Sequence, residues 1–289
     1  MSIDYETEYN NTARVADVAA ISARWAAAST SLRASVRSEL DIAYGDDPRQ
    51  RYDLLLPEVV NADVPIAVFI HGGYWQWRDR KDFSFTAAGC LAHGVAWAMP
   101  SYRQCPAVRI ADIIEDMQVF LAALWRRTGR RPVVTGHSAG GHLTAALMTT
   151  DWSRYPGVPA DLVRMGYAIS GVFEVAPLVS TTIGAALRET AESASAVSPR
   201  FGLIPPRDRW LTAAVGGMES GEFIRQSVDM AGAWSAHGVK AEAVIVPGAN
   251  HFTVIDDLAR PDSAMVHRIV AMARTSGCDV GMPNRSATA

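Results

Sequence analysis

The chain has few cysteines, no long apolar run and no excess of either charge, and each shortage excludes a class of protein. Cys90, Cys105 and Cys278 are the only cysteines in 289 residues. They are widely spaced and odd in number, so they cannot build a complete disulfide framework or a Cys-x-x-Cys metal site. They read as reduced thiols. No stretch of about 18 apolar residues occurs, so there is no candidate for a membrane-spanning helix. The first residues, Met1 to Glu8, are acidic and lack the basic start and apolar stretch of a secretory leader. The expectation is a soluble, unexported, cytoplasmic protein. Lys and Arg number 27 against 30 Asp and Glu, a net charge of -3. Apart from short clusters such as Arg126-Arg127 and Arg130-Arg131 the basic residues are scattered, which leaves no face for nucleic acid. There is no nicotinamide or flavin fingerprint, no histidine and carboxylate cluster with metal-ligand spacing, and no internal repeat. The expected cofactors and metals are therefore none.

What is present is a chain that is 49% hydrophobic, enough for one large domain with a substantial core. Thr12 to about Leu32 reads as a helix with a thin apolar stripe (Val15, Val18, Ile21 or Ser22, Trp25) that packs across the main domain. Glu39–Tyr44 and Arg51–Leu56 flank Gly45-Asp46-Asp47-Pro48 as a hairpin. The rest alternates. Strands are expected at Pro65–Ile70, Val95–Met99, Pro132–Thr135, Val163–Ile169, Trp210–Val215 and Ala243–Val246. Helices are expected at Phe83–His93, Ile110–Arg127, His142–Met148, Gly221–His237 and Asp262–Arg274. Such alternation argues an α/β fold, a mostly parallel central sheet with helices on both faces. The irregular, proline-punctuated stretch 174–206 interrupts it and reads as a small lid. The divisions are an N-terminal helical segment (1–38), a main domain (39–275) carrying the lid, and a flexible tail (276–289).

Gly136-His137-Ser138-Ala139-Gly140 stands between the strand at 132–135 and the helix that follows. A serine between small residues in a strand-turn-helix is the nucleophile elbow of an α/β-hydrolase, where a tight turn lifts the hydroxyl above the sheet. A serine hydroxyl needs an imidazole to take its proton and a carboxylate to orient that imidazole. In this fold the acid and then the histidine follow the serine in the chain. Of the seven histidines, His251 follows a late strand and a turn. His93, His237 and His267 fall in or at the ends of helices, and His137 and His142 lie too close to Ser138 to act as its base. For the acid, Glu219 lies just past its strand. Glu222 already sits in the first turn of a helix capped by Ser220, where it serves the helix dipole. Asp208 precedes the strand and Asp229 is mid-helix. His71-Gly72-Gly73 follows a buried strand, where the backbone N–H groups of the Gly72-Gly73-Tyr74 stretch, with that of Ala139, would form an oxyanion hole. Tyr74, Trp75, Trp77, Tyr102 and Phe173 fall on loops at the same sheet edge, where an aromatic leaving group can stack. His142 is a further candidate for the pocket wall.

His71-Gly72-Gly73-Tyr74-Trp75-Gln76, Gly136-His137-Ser138-Ala139-Gly140-Gly141-His142, the stretch from Glu219 to Ser227 and Asn250-His251-Phe252 together resemble the kynurenine formamidase (arylformamidase) branch of the α/β-hydrolases, near the hormone-sensitive-lipase-like esterases. The resemblance covers roughly Arg51 to Arg274. It implies Ser138 as nucleophile, Glu219 as acid and His251 as base. Some members carry aspartate where this chain has Glu219. The implied chemistry is removal of a short acyl group, formyl or acetyl, from an aromatic amine such as N-formylkynurenine or an N-acyl anthranilate or anilide, through an acyl-enzyme. A carboxylesterase for small esters is the alternative, since the triad serves both. A binding protein that kept the fold without catalysis is a third. The expected partner is a small aromatic amide or ester, with no nucleic acid and no membrane; a homodimer is left open.

Overall fold

The computed structural model describes residues 3–61 and 63–277. The expected tail therefore lies almost entirely outside the described residues. Among the described residues eight strands follow one another: β1 (Ser38–Ala43), β2 (Arg51–Leu55), β3 (Ile66–Ile70), β4 (Ala96–Pro100), β5 (Val133–His137), β6 (Met165–Ile169), β7 (Trp210–Gly216) and β8 (Lys240–Val246). They form one sheet in the order β1-β2-β4-β3-β5-β6-β7-β8. β2 pairs antiparallel with β1 and β4, and every other pairing is parallel. The continuous apolar run of β3 is explained by burial on both faces. Val68 and Ile70 point into one core, Ala67 and Phe69 into the other.

The helices in chain order are α1 (Tyr5–Tyr9), α2 (Asn11–Arg14), α3 (Val18–Ser35), α4 (Ala88–Ala92), α5 (Ile110–Thr128), α6 (Ala139–Met148), α7 (Ala191–Ala196), α8 (Gly221–Ser235) and α9 (Ala264–Gly277). α5, α6 and α8 cover one face through residues such as Ile113, Met117, Phe120, Leu143, Phe223 and Met230. α3, α4 and α9 cover the other through Ile21, Trp25, Cys90, Val266 and Ile269. Cys90 and Cys105 are free thiols, and burial pushes the Cys90 thiol up to about 12. Among the described residues no helix is long and apolar enough to cross a membrane. None of their His, Cys, Asp and Glu side chains form a group of three or more placed to hold a metal ion.

Two expected helices are built differently. The single helix at Thr12 to Leu32 is divided, because the Asn10 side chain accepts from the Ala13 N–H to start α2 and the chain is extended at Val15 before α3 begins. The stripe that α3 buries is Ile21, Trp25 and Ser29, one residue per turn. The expected helix at Phe83 to His93 starts earlier, as a 3-10 segment Arg80–Ala87 leading into α4. A capping box between Asp79 and Asp82 sets that start. Apolar spacing alone did not register this polar signal. The stretch 174–206 consists of α7 between short 3-10 turns at Ala176–Ser180, Gly184–Ala186 and Pro199–Phe201.

Candidate active site

Ser138 joins β5 to α6 with φ 57° and ψ -115°, a conformation that costs a non-glycine residue on the order of 1–3 kcal/mol. The flanking glycines make the turn sterically feasible: a Cβ on Gly140 would lie 1.9 Å from the Ile70 carbonyl oxygen, and one on Gly136 2.4 Å from that of Gly140. The turn is held by the Ser138 N–H, which donates to the Ile169 carbonyl at 2.8 Å, and by the His142 N–H, which donates to the Ser138 carbonyl at 3.1 Å.

His251 follows β8. Asn250 Oδ1 accepts from the N–H groups of Phe252 and Thr253, each at 2.9 Å, and this starts a 3-10 turn that fixes the loop. The imidazole Nδ1 lies 2.6 Å from Glu219 Oε2. A carboxylate there accepts a hydrogen bond from the Nδ1–H and leaves the Nε2 lone pair free to take a proton. Glu219 Oε1 accepts from the Gly216 N–H at 2.7 Å and from the Ser170 hydroxyl at 2.5 Å. Its side chain is fully buried, so these three donors offset the cost of taking a carboxylate out of water. Glutamate thus reaches the imidazole from the loop that closes β7. His137 packs beside the His251 ring and bonds the His251 carbonyl through Nε2 at 2.8 Å. Burial pulls its pKa well below the usual imidazole value, which favours the neutral form of His137. Glu222 pairs with Arg225 and Tyr9, Asp208 with Arg209 and Asp229 with Arg225.

The loop after β3 runs through left-handed backbone at Gly73 (φ 110°), Tyr74 (φ 49°) and Trp75 (φ 58°). A Cβ on Gly72 would come within 3.0 Å of Ser138 Cβ, so this backbone passes directly against the serine. The Ala139 N–H belongs to the first residue of α6 and has no partner within the helix. His71 braces the loop between the rings of Tyr102 and Phe83, 4.4 and 6.0 Å away, and burial lowers its pKa to about 4.

A cavity of about 100 Å³ brings Ser138, His251 and His137 together with Gly72, Gly73, Tyr74 and Trp77. Of the aromatic residues expected at the pocket, Tyr74 and Trp77 line it. Trp75, Tyr102, His142 and Phe173 do not line this cavity; all four are fully buried. Trp75 packs edge-on against His142 at 5.0 Å, and His142 Nε2 bonds the Val197 carbonyl at 2.7 Å. Tyr102 donates to the His71 carbonyl at 3.0 Å. The Phe173 N–H donates to Gln226.

In their place the cavity is lined by Asn11, Thr12 and Trp25 from the N-terminal helices and by Arg78, Phe83 and Phe252. Trp25 stacks on Phe85, its ring centre 6.2 Å from that of Phe252, and its indole N–H donates to Asp256. Arg78 is exposed at the rim and bonds Ser22 Oγ at 3.0 Å. Sequence reasoning missed these residues and Ser170. Ser170 closes a visible strand, but nothing local marks Asn11 or Trp25 as neighbours of a loop some fifty residues away.

A family model described as BD-FAE matches residues 52–155. The chain is 27% identical over 248 residues to a kynurenine formamidase of Salmo salar, with 83% of each chain covered. It is 25% identical over 240 residues to an isoprenylcysteine alpha-carbonyl methylesterase of Arabidopsis thaliana, covering 73% of this chain and 55% of that one. Among solved structures, a putative thioesterase from a Silicibacter species is 34% identical with a TM-score of 0.84, covering 93% of this chain and 99% of that one. An esterase of Pyrobaculum calidifontis, 18% identical, shares the fold at a TM-score of 0.66, covering 91% of this chain and 94% of that one.

Proposed function

Since the chain belongs to the kynurenine formamidase-like branch of the α/β-hydrolase superfamily, we propose that it is a serine hydrolase that removes a short acyl group, formyl above all, from an aromatic amine. The observation that carries this reading is the 2.6 Å contact between His251 Nδ1 and Glu219, in a site whose cavity also holds Ser138. Ser138 Oγ attacks the acyl carbon while His251 Nε2 takes its proton. Glu219 stabilises the imidazolium that forms. N–H groups of the Gly72-Gly73-Tyr74 stretch and of Ala139 face the oxyanion of the tetrahedral intermediate. The intermediate collapses, the C–N bond breaks, and His251 returns the proton to the leaving amine. Water, deprotonated by the same imidazole, then attacks the acyl-enzyme and releases the carboxylic acid and free Ser138.

The aromatic lining by Tyr74, Trp77, Trp25, Phe83 and Phe252 suits an aryl leaving group, and the Arg78 guanidinium at the rim suits an anionic substituent on it. A small-ester carboxylesterase is the second reading, favoured by the similarity to a methylesterase. Rates on N-formylkynurenine, N-acetylanthranilate and p-nitrophenyl acetate, with wild type and Ser138→Ala, separate the two. Serine-dependent turnover of an amide supports the first. Turnover of the activated ester alone rejects it in favour of the second. The expected surroundings are cytoplasmic, with a small aromatic amide or ester as the partner and a homodimer left open.

A further inference from the structure

The N-terminal segment lines the cavity through Asn11, Thr12 and Trp25, and it also bonds the side chain of Tyr74. The Tyr74 hydroxyl is buried beside the cavity and has two partners, both from that segment: it accepts from Asn11 Nδ2 at 3.0 Å and donates to the Tyr9 carbonyl. Asn11 is itself buried, 4% exposed, and lines both the cavity at Ser138 and the adjoining cleft beside His251 and Glu219. Tyr9 is anchored in turn. Its hydroxyl donates to Glu222 Oε2 at 2.8 Å and accepts from Gln226, and Gln226 Oε1 receives the N–H groups of Phe173 and Glu174 at 2.6 and 2.8 Å. A chain of bonds therefore runs from the loop after β6, through α8 and the N-terminal segment, to the side chain of Tyr74. The main chain of Tyr74 is left-handed, a conformation that an L-residue keeps only when its surroundings hold it.

From this geometry we infer that Asn11 is a positioning residue. Its amide and the Tyr9 carbonyl hold the Tyr74 hydroxyl, and through it they aim the backbone N–H groups of the 72–74 loop at the oxyanion. The N-terminal segment is then part of the catalytic apparatus. This rests on the proposed hydrolase reading but not on the choice between amide and ester. An oxyanion hole matters only as negative charge develops, so misaiming it lowers kcat and leaves ground-state binding largely intact.

The test uses Asn11→Ala, Asn11→Asp, Tyr74→Phe and the Asn11→Ala/Tyr74→Phe double variant, with Asn11→Gln as the conservative rescue. Turnover of p-nitrophenyl acetate is normalised to sites titrated with a fluorophosphonate, so unfolded protein does not count. Because either hydrolase reading allows this ester, failure on formamides would overturn the amidase reading and leave this test intact. Each single variant is expected to lose about tenfold in kcat with KM changed less than about twofold. Asn11→Asp keeps the shape and loses the donor, so it falls with Asn11→Ala, whereas Asn11→Gln, which keeps an amide, recovers part of the rate. The double variant falls no further than the worse single one, since both act through one hydroxyl. Affinity for an aryl trifluoromethyl ketone, whose adduct carries the oxyanion, drops in parallel. An unchanged kcat per titrated site in Asn11→Ala overturns the inference, as do losses that multiply in the double variant.

Discussion

The Ser170 hydroxyl donates to Glu219 Oε1 at 2.5 Å, the carboxylate oxygen that His251 does not use. Ser170 follows β6 directly in left-handed backbone (φ 49°) and is fully buried, so the bond lies away from solvent. Removing it leaves Glu219 with the Gly216 N–H and the imidazole, and gives the carboxylate freedom to turn. Ser170→Ala is expected to lower kcat by about five- to tenfold with little change in KM. Steady-state kinetics on any turned-over substrate would show this, and an unchanged kcat would mean that the other two donors suffice.

Glu219 itself should matter far more. Glu219→Gln keeps the size but offers the wrong partner for the Nδ1 proton, and a loss of about 10³–10⁴ in kcat is expected. Glu219→Asp shortens the side chain by one methylene and pulls the carboxylate off its 2.6 Å contact, so an intermediate loss is expected. Rates of Ser138 labelling by a fluorophosphonate should follow the same order; equal labelling of all three proteins would remove Glu219 from the proposed triad.

Acid should destabilise the fold through its buried imidazoles. His142 is pulled down to about 4 by burial, from an ordinary value of 6.5. Below pH 6.5 the unfolded chain binds a proton at this residue that the folded chain refuses, so stability falls as pH drops from about 6.5 towards about 4. Above 6.5 the contribution is fully present. At pH 5 the loss from this one residue is about 2 kcal/mol. Urea unfolding at pH 7.5 and pH 5 checks it: His142→Gln, which keeps a donor for the Val197 carbonyl, should lose less between the two than wild type.

Gly140→Ala would place a methyl group 1.9 Å from the Ile70 carbonyl oxygen. The contact is with backbone on both sides and cannot be relieved by a rotamer change. A destabilisation of about 3 kcal/mol or more is expected, read as a lowered denaturation midpoint. A midpoint like that of wild type would show that the turn has slack.

Arg78 offers a positive charge at the cavity rim. Arg78→Gln should reduce kcat/KM for N-formylanthranilate about tenfold while leaving N-formylaniline, which has no carboxylate, within about twofold. Equal effects on both substrates would remove the guanidinium from substrate recognition.

Much of the candidate site was legible in the sequence because it is made of short contiguous signals. The elbow needs small residues at Gly136 and Gly140 within one turn, and the loop at Gly72 and Gly73 follows directly from a strand whose apolar run marks it as buried. His251 and Glu219 could be located by their place after late strands, since a parallel sheet delivers every such loop to one edge. The alternation of β3 to β8 with helices was equally plain, since periodicity is a local property. The sequence did not determine which aromatic residues face the cavity. Trp75, Tyr102 and Phe173 sit on loops at the correct edge, yet packing turns them inward. Trp25 and Asn11 reach the site from helices whose pattern gave no hint of it. Those placements, and the bond between Ser170 and Glu219, depend on how segments far apart in the chain come together, and the tertiary structure alone decides that.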